Sequence, residues 1–245
     1  MHLLQGEKVT VAFGGLTAVS EVDFHVDKGE ILGLIGPNGA GKTTLFNLIS
    51  AAIPVKSGKI TFKDTNITGK KPYQVTRLGI ARTFQTVKIF GNLSVLDNVR
   101  LAALFGDPKR PSASQATKDA MELLEFVGLQ KDPNSPARDL TLANQKRLEM
   151  ARALAAKPEL LLLDELMAGL NHTEVAEAMD DIRQVRDRGI TIIMIEHVMK
   201  AIMSICDRIV VLNYGKKIAE GTPQEIANSK TVIEVYLGEE CITGS

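Results

Sequence analysis

The stretch Gly36-Pro37-Asn38-Gly39-Ala40-Gly41-Lys42-Thr43-Thr44 constrains this chain more than any other. It follows the apolar run Ile31–Ile35 and precedes Leu45, Leu48 and Ile49 at helical spacing. Strand, glycine-rich turn and helix, in that order, form the setting a phosphate-binding loop requires. Glycines let the backbone wrap closely around an anion and turn successive N–H groups inward. The helix opening at Lys42 adds the positive end of its dipole. Lys42 is expected to reach the β- and γ-phosphates, and the Thr43 hydroxyl to ligate a magnesium ion. A turn that merely joins a strand to a helix seldom carries the full Gly-x4-Gly-Lys-Thr pattern with both flanks correct. A bound nucleoside triphosphate is the expectation.

Composition narrows the setting. At 245 residues the chain has room for one large α/β domain or two small ones, and 44% apolar residues supply a substantial core. Lys plus Arg and Asp plus Glu balance at 29 each, so no global field draws nucleic acid or anionic lipid. The two cysteines, Cys206 and Cys241, fit no Cys-x-x-Cys or zinc spacing, and Cys206 in its apolar helical context reads as core. Reduced thiols and the lack of a signal peptide point to the cytoplasm. No apolar run approaches the roughly 20 residues that cross a bilayer, so any membrane role comes through a partner chain.

In chain order, alternating residues around Val9, Val11 and Phe13, then Val22, Phe24 and Val26, read as strands. An aromatic at Phe13 can stack on a purine base or serve as a strand-face core residue. A short strand is expected at 59–62, and Arg82-Thr83-Phe84-Gln85 closes a first, β-rich lobe. From about 87 to 158 the character is helical, with an apolar stripe of Leu93, Leu96, Val99, Leu101 and Leu104. The polar, Pro-rich segment 107–114 reads as an exposed loop, and Thr141 as the cap of the next helix. Continuous apolar runs at 160–163, 190–195 and 209–212 belong in a parallel sheet covered on both faces. Helices at 174–188 and 198–205 supply the crossovers, and short helices at 223–228 and 231–237 finish the chain. The expected fold is a single α/β domain over 1–245. It has a P-loop core with a mixed, mainly parallel sheet, an N-terminal antiparallel β lobe, and a helical subdomain inserted at about 87–158.

A second phosphate-chemistry element is Leu160-Leu161-Leu162-Leu163-Asp164-Glu165. Four apolar residues deliver a carboxylate to the sheet edge where α/β proteins bind ligands. Asp164 is placed to hold magnesium through water, and Glu165 to accept a proton from an attacking water. Two solvated acids at a strand end are common in isolation; beside a full phosphate loop the functional reading is favoured. His197 follows the apolar run Thr191–Ile195 at the same kind of edge. It reads either as a structural histidine or as a donor to the γ-phosphate. Gln85 offers an amide oxygen to a magnesium shell, though spacing alone does not single it out.

Taken together, the phosphate loop, Gln85, Leu140-Thr141-Leu142-Ala143-Asn144, Asp164-Glu165, Ala168-Gly169-Leu170-Asn171 and His197 resemble the nucleotide-binding subunit of an ABC transporter. The resemblance runs from about Val9 to Leu237. Phe13-Gly14-Gly15-Leu16-Thr17-Ala18-Val19, Ala81-Arg82-Thr83-Phe84-Gln85, Ile195-Glu196-His197-Val198-Met199-Lys200 and Val235-Tyr236-Leu237-Gly238-Glu239 are similar to the branched-chain (hydrophobic) amino acid uptake group, in the first of its two ATPase subunits. This implies ATP and Mg2+ as ligands, with a second ATPase subunit, a copy or a related chain, under two transmembrane permease subunits. A solute-binding protein would act indirectly, with no nucleic acid partner, and the chain would sit at the cytoplasmic face of the membrane. It also implies that Thr141, Ala143 and Asn144 serve the partner's nucleotide, while Glu165, His197 and Lys42 carry the chemistry.

The usual Leu-Ser-Gly-Gly-Gln of that family is here Leu-Thr-Leu-Ala-Asn, which keeps a hydroxyl at Thr141 and a backbone N–H at Ala143. Leu166 and His172 replace two common prolines, and His172 reads as a solvated loop residue. The alternatives are another ABC system, for urea, amides, aromatic acids or lipid, and a soluble ATP-switched protein acting on nucleic acid. Proteins of the last kind usually carry two ATPase units or a long coiled-coil insertion, and neither is present here. A non-hydrolysing structural partner is disfavoured by Glu165 and His197.

Overall fold

The computed structural model describes residues 2–243, with side-chain environments through Tyr236. The Cys241 side chain lies outside the described residues. Two compact units emerge, one of residues 1–72 with 191–245, the other of residues 73–190.

The first unit opens with β1 (His2–Phe13) and β2 (Leu16–Asp27), paired antiparallel. Their alternation of buried and exposed side chains is that of strands with one face on a core. β4 (Ser57–Phe62) and β5 (Thr65–Asn66) complete a sheet of order β2-β1-β4-β5. The same unit holds β3 (Ile31–Ile35), β8 (Thr191–Ile195) and β9 (Arg208–Asn213). β3 lies between the other two and pairs parallel with both. Every residue of β3 and β8 is buried, which accounts for their unbroken apolar runs. β10 (Lys216–Gly221) pairs antiparallel with β9. Its charged residues hide it from hydrophobic periodicity, so sequence reading misses it. α1 (Lys42–Ile49) follows β3, and α7 (Met199–Ile205), α8 (Pro223–Ala227) and α9 (Lys230–Thr243) complete the unit. Cys206 is buried, and its Sγ would stand 3.0 Å from a Cβ at Gly33, so the thiol fills space as expected. Burial also pushes that thiol well above the usual range.

The second unit pairs β6 (Ile80–Arg82) in parallel with β7 (Leu160–Asp164). This corrects the expectation that Arg82 to Gln85 close the first lobe: the strand ends at Arg82 and belongs with the acid-bearing strand. α2 (Pro72–Leu78) precedes β6. Between β6 and β7 lie α3 (Val95–Gly106), α4 (Ala113–Phe126) and α5 (Leu142–Ala155), with α3 packed on both of the others. α3 buries Val95, Val99 and Ala103, while Leu96, Leu101 and Leu104 of the expected stripe are half-buried. Asp107 is buried, not exposed as expected, because its carboxylate meets the Lys157 ammonium at 3.2 Å; the exposed loop begins one residue later. α6 (His172–Asp187) starts at His172 itself, capped by Asn171 in a capping box with Glu174. His172 is therefore the first helical residue, exposed, rather than a loop residue. The fold is that of an α/β P-loop protein with a mixed, mostly parallel sheet, an antiparallel N-terminal sheet and helices.

Candidate nucleotide site

The phosphate loop is built by close approach. Gly36 has φ +148°, and a Cβ there would fall 2.1 Å from the Leu212 carbonyl oxygen. Gly41, at φ +101°, would bring a Cβ within 2.5 Å of the Ala18 carbonyl oxygen. Only glycine fits either place. The tip of the β9–β10 hairpin braces the loop from outside. Tyr214 and Gly215, at φ +44° and +75°, make a two-residue turn with both centres left-handed. The Gly215 N–H donates to the Ala40 carbonyl at 3.0 Å, and the Ser20 N–H donates to the Gly215 carbonyl at 2.8 Å.

α1 begins directly at Lys42. Gly41 has no side chain to cap it and its first turn carries no acid, so those N–H donors suit an anion. Lys42 is 7% exposed, and its ammonium donates to the Gly36 carbonyl at 2.6 Å and the Pro37 carbonyl at 2.9 Å. The loop thus wraps around the lysine that a phosphate would recruit. Asn38, Gly39 and Thr43 are exposed, Ala40 is buried, and Thr44 is partly covered. Phe13, at the end of β1, is 52% exposed, which excludes the core reading and leaves an aromatic face available for a base. His197 is exposed two residues beyond β8, after the buried Glu196.

In the second unit, β7 delivers Asp164 at 1% exposure and Glu165 at 9%. The Arg82 guanidinium donates to Asp164 Oδ2 at 2.6 Å, and the Asp164 N–H donates to the Thr83 hydroxyl at 3.2 Å. A buried carboxylate without such a partner would be costly, about 3–5 kcal/mol for breaking a buried pair. Glu165 adopts φ +51°, a left-handed conformation that costs a non-glycine residue about 1–3 kcal/mol. Gln85 and Lys146 help to hold it there. Gln85 Nε2 donates to its carboxylate at 2.9 Å, and the Lys146 ammonium, 5% exposed, donates to its backbone carbonyl at 2.9 Å.

Gln85 lies three residues past the end of β6, exposed, rather than at a strand end. The segment after it is anchored by side chains of α5 and α3. The Glu149 carboxylate accepts the Lys88 N–H, and Arg152 donates to the Lys88 carbonyl. Fully buried Asn98 accepts the Phe90 N–H at 2.9 Å and donates to the Phe90 and Ser94 carbonyls. Burial raises the Glu149 carboxyl above its ordinary range, partly offset by the N–H groups of Lys88 and Phe84. Thr141 caps α5 as expected, its hydroxyl accepting from the Asn144 N–H at 3.4 Å. Thr141 and Leu142 are exposed, while Ala143 and Asn144 are partly covered.

Sequence reasoning missed Arg82, Thr83, Lys146 and Glu149. The signal available was a charge or hydroxyl set into an otherwise apolar strand or helix face. The Thr43 hydroxyl, the Gln85 amide oxygen and the Asp164 carboxylate each offer a hard oxygen, the donor chemistry that a magnesium ion takes.

The chain matches the sequence model of the family described as ABC transporter over residues 19–168, more than half its length. A second model, described as branched-chain amino acid ATP-binding cassette transporter, matches residues 216–241. The high-affinity branched-chain amino acid transport ATP-binding protein LivG of Escherichia coli is 41% identical over 97% of this chain and 98% of its own length. BraF of Pseudomonas aeruginosa, of the same description, is 38% identical over 97% and 98%. Among solved structures, the ADP conformation of an ATP-binding cassette of an ABC transporter superposes with a TM-score of 0.88 at 30% identity, over 97% of this chain and 99% of that one. These likenesses run nearly end to end, and the chain belongs to the nucleotide-binding ATPases of ABC transporters, in their branched-chain amino acid subfamily.

Proposed function

We propose that this chain is the ATP-hydrolysing motor subunit of an importer of branched-chain amino acids. The observation that carries the reading is the pairing of Gln85 with Glu165 beside buried Asp164, in a chain that also builds a complete phosphate loop around Lys42. In this reading Phe13 stacks on the adenine, the N–H groups of 36–44 cradle the phosphates, and Lys42 neutralises charge on the β- and γ-phosphates. Thr43, Gln85 and Asp164 would hold Mg2+, which supplies charge neutralisation as the γ-phosphoryl group leaves. Glu165 orients the attacking water and takes its proton, and His197 donates to the γ-phosphate. Thr141, Ala143 and Asn144 present donors to the nucleotide of a second ATPase subunit.

Membrane attachment would come through two permease subunits at the cytoplasmic face, since no helix among the described residues is long and apolar enough to cross a bilayer. The docking surface would be the segment 87–98, where Lys88, Phe90 and Asn92 are exposed. A solute-binding protein would act only through the permeases. The test is co-purification of the tagged chain with its membrane and solute-binding subunits, followed by magnesium-dependent ATPase assays in vesicles with leucine, isoleucine and valine. Stimulation by those solutes is expected. Stimulation only by urea, an aromatic acid or a lipid would replace the substrate class, and absence of ATP hydrolysis would remove the motor role.

A further inference from the structure

Glu165 has to aim one carboxylate from a left-handed backbone, φ +51°, that a non-glycine residue holds only at a cost. Its side chain is gripped by Gln85, but its backbone is gripped by Lys146, whose ammonium donates to the Glu165 carbonyl at 2.9 Å. Lys146 is only 5% exposed. An ammonium this far withdrawn from water is costly unless hydrogen-bonded, and the Glu165 carbonyl is one group that holds it. The charge is placed where it fixes the peptide following Glu165, and with it the direction in which the Glu165 side chain leaves the backbone.

Lys146 also sits on a face of α5 whose next two turns do related work. Glu149 and Arg152, three and six residues on, hold Lys88 by its N–H and its carbonyl, and Lys88 lies just beyond Gln85. One helix therefore fixes both Glu165 and the backbone that carries its Gln85 partner. The same helix begins at the exposed cap Thr141.

We infer that Lys146 is a positioning residue for ATP hydrolysis, acting through Glu165 and touching neither nucleotide nor water. This rests on the assignment of Glu165 as the residue that activates water. The experiment is a double-mutant cycle on the full-length chain, with turnover and ATP affinity measured separately. Lys146→Met should lower kcat by about 10–100-fold, the scale of a small misplacement at a reacting centre, with ATP affinity within about twofold. Lys146→Arg, which restores a charged donor, should recover most of the loss. In a Glu165→Gln background, Lys146→Met should add almost nothing, because the group it positions is already disabled. If Lys146→Met does not fold, Lys146→Gln, with a donor of shorter reach, serves in the same cycle. An equal loss in both backgrounds would show that Lys146 acts independently of Glu165 and would overturn the inference. Wild-type turnover in Lys146→Met would do the same while leaving the ATPase assignment standing. Failure of the unaltered chain to hydrolyse ATP would sink the assignment and this inference together.

Discussion

Gln85 Nε2 donates to Glu165 Oε2 at 2.9 Å across 80 positions of sequence. The contact ties the segment leading into the helices to the carboxylate at the end of β7. Replacing Glu165 by Gln keeps the size of the side chain and removes its basicity. ATP binding should persist while hydrolysis slows by about 10²–10⁴, the range for losing a general base. Equilibrium binding and single-turnover assays on the purified variant check this, and near-normal turnover would remove Glu165 from the role.

In the proposed reading Lys42 contributes charge rather than packing to ligand binding. Its ammonium already sits on the Gly36 and Pro37 carbonyls, at 2.6 and 2.9 Å, so the loop geometry and the charge are built as one unit. Lys42→Ala should weaken ATP binding by about ten- to a hundredfold, the worth of one charge-assisted hydrogen bond. Titration with a fluorescent ATP analogue gives the number, and unchanged affinity would contradict the assignment.

The loop's shape depends on Gly36 in a way that stability measurements can read. A Cβ there would lie 2.1 Å from backbone at Leu212, whereas one at Gly39 would meet nothing within 4 Å. Gly36→Ala should lower Tm by about 2–10 °C, from a backbone and steric cost of about 1–3 kcal/mol. Gly39→Ala, left-handed at φ +77° but open, should cost less. Equal melting shifts would mean that close approach is not what selects glycine at position 36.

Much of this was legible in the sequence because the signals were local. The phosphate loop, the apolar strands and the Thr141 cap each follow from a few adjacent residues, and the structure has these elements. What stayed hidden was tertiary. β10 lacks hydrophobic periodicity because its Lys217 and Glu220 pair with each other, at 2.6 Å. Asp107 reads as solvated until Lys157, fifty positions later, closes on it. Arg82, Thr83 and Lys146 stand out only as polar groups on apolar faces, and it takes the pairing of β6 with β7 and the placement of α5 to bring them their partners. Gln85 acquires a chemical neighbour for the same reason.

On the first unit, the surroundings of His25 imply a pH dependence of stability separate from nucleotide binding. His2 Nδ1 lies 2.8 Å from Asp27 Oδ1, and the His2 and His25 rings are 4.1 Å apart. Burial, the Arg208 guanidinium and His2 together hold His25 below its ordinary value of 6.5, against the opposing pull of Glu220 and Asp27. The unfolded chain therefore binds a proton more readily than the folded one at this position. Its contribution to stability is complete above pH 6.5 and is lost as pH falls below it towards the folded value. His25→Gln should shrink the drop in urea-unfolding stability between pH 8 and pH 5. Parallel pH profiles for the two proteins would show that His25 does not carry it.

The segment 140–144 should serve the partner's nucleotide rather than the chain's own. Thr141 caps α5 and is exposed with Leu142, so in the proposed reading the cap and the helix N-terminus behind it would meet an anion at the surface of the second unit. The chain already has a complete phosphate cradle at 36–44, and a second anion site finds its use in a dimer. Thr141→Arg should therefore leave ATP binding by the isolated chain nearly intact. In the dimer it should abolish hydrolysis at the site built on the partner's phosphate loop, by steric clash and loss of the hydroxyl. Mixed dimers separate the possibilities. With Thr141→Arg and Lys42→Ala on the same chain, one site lacks its phosphate loop and the other lacks its trans segment, so neither should turn over. With the two changes on opposite chains, a single site carries both defects and the other is chemically complete, so turnover should survive. Equal activity in the two arrangements would mean that Thr141 does not act across the dimer, and the segment would then have to serve its own chain.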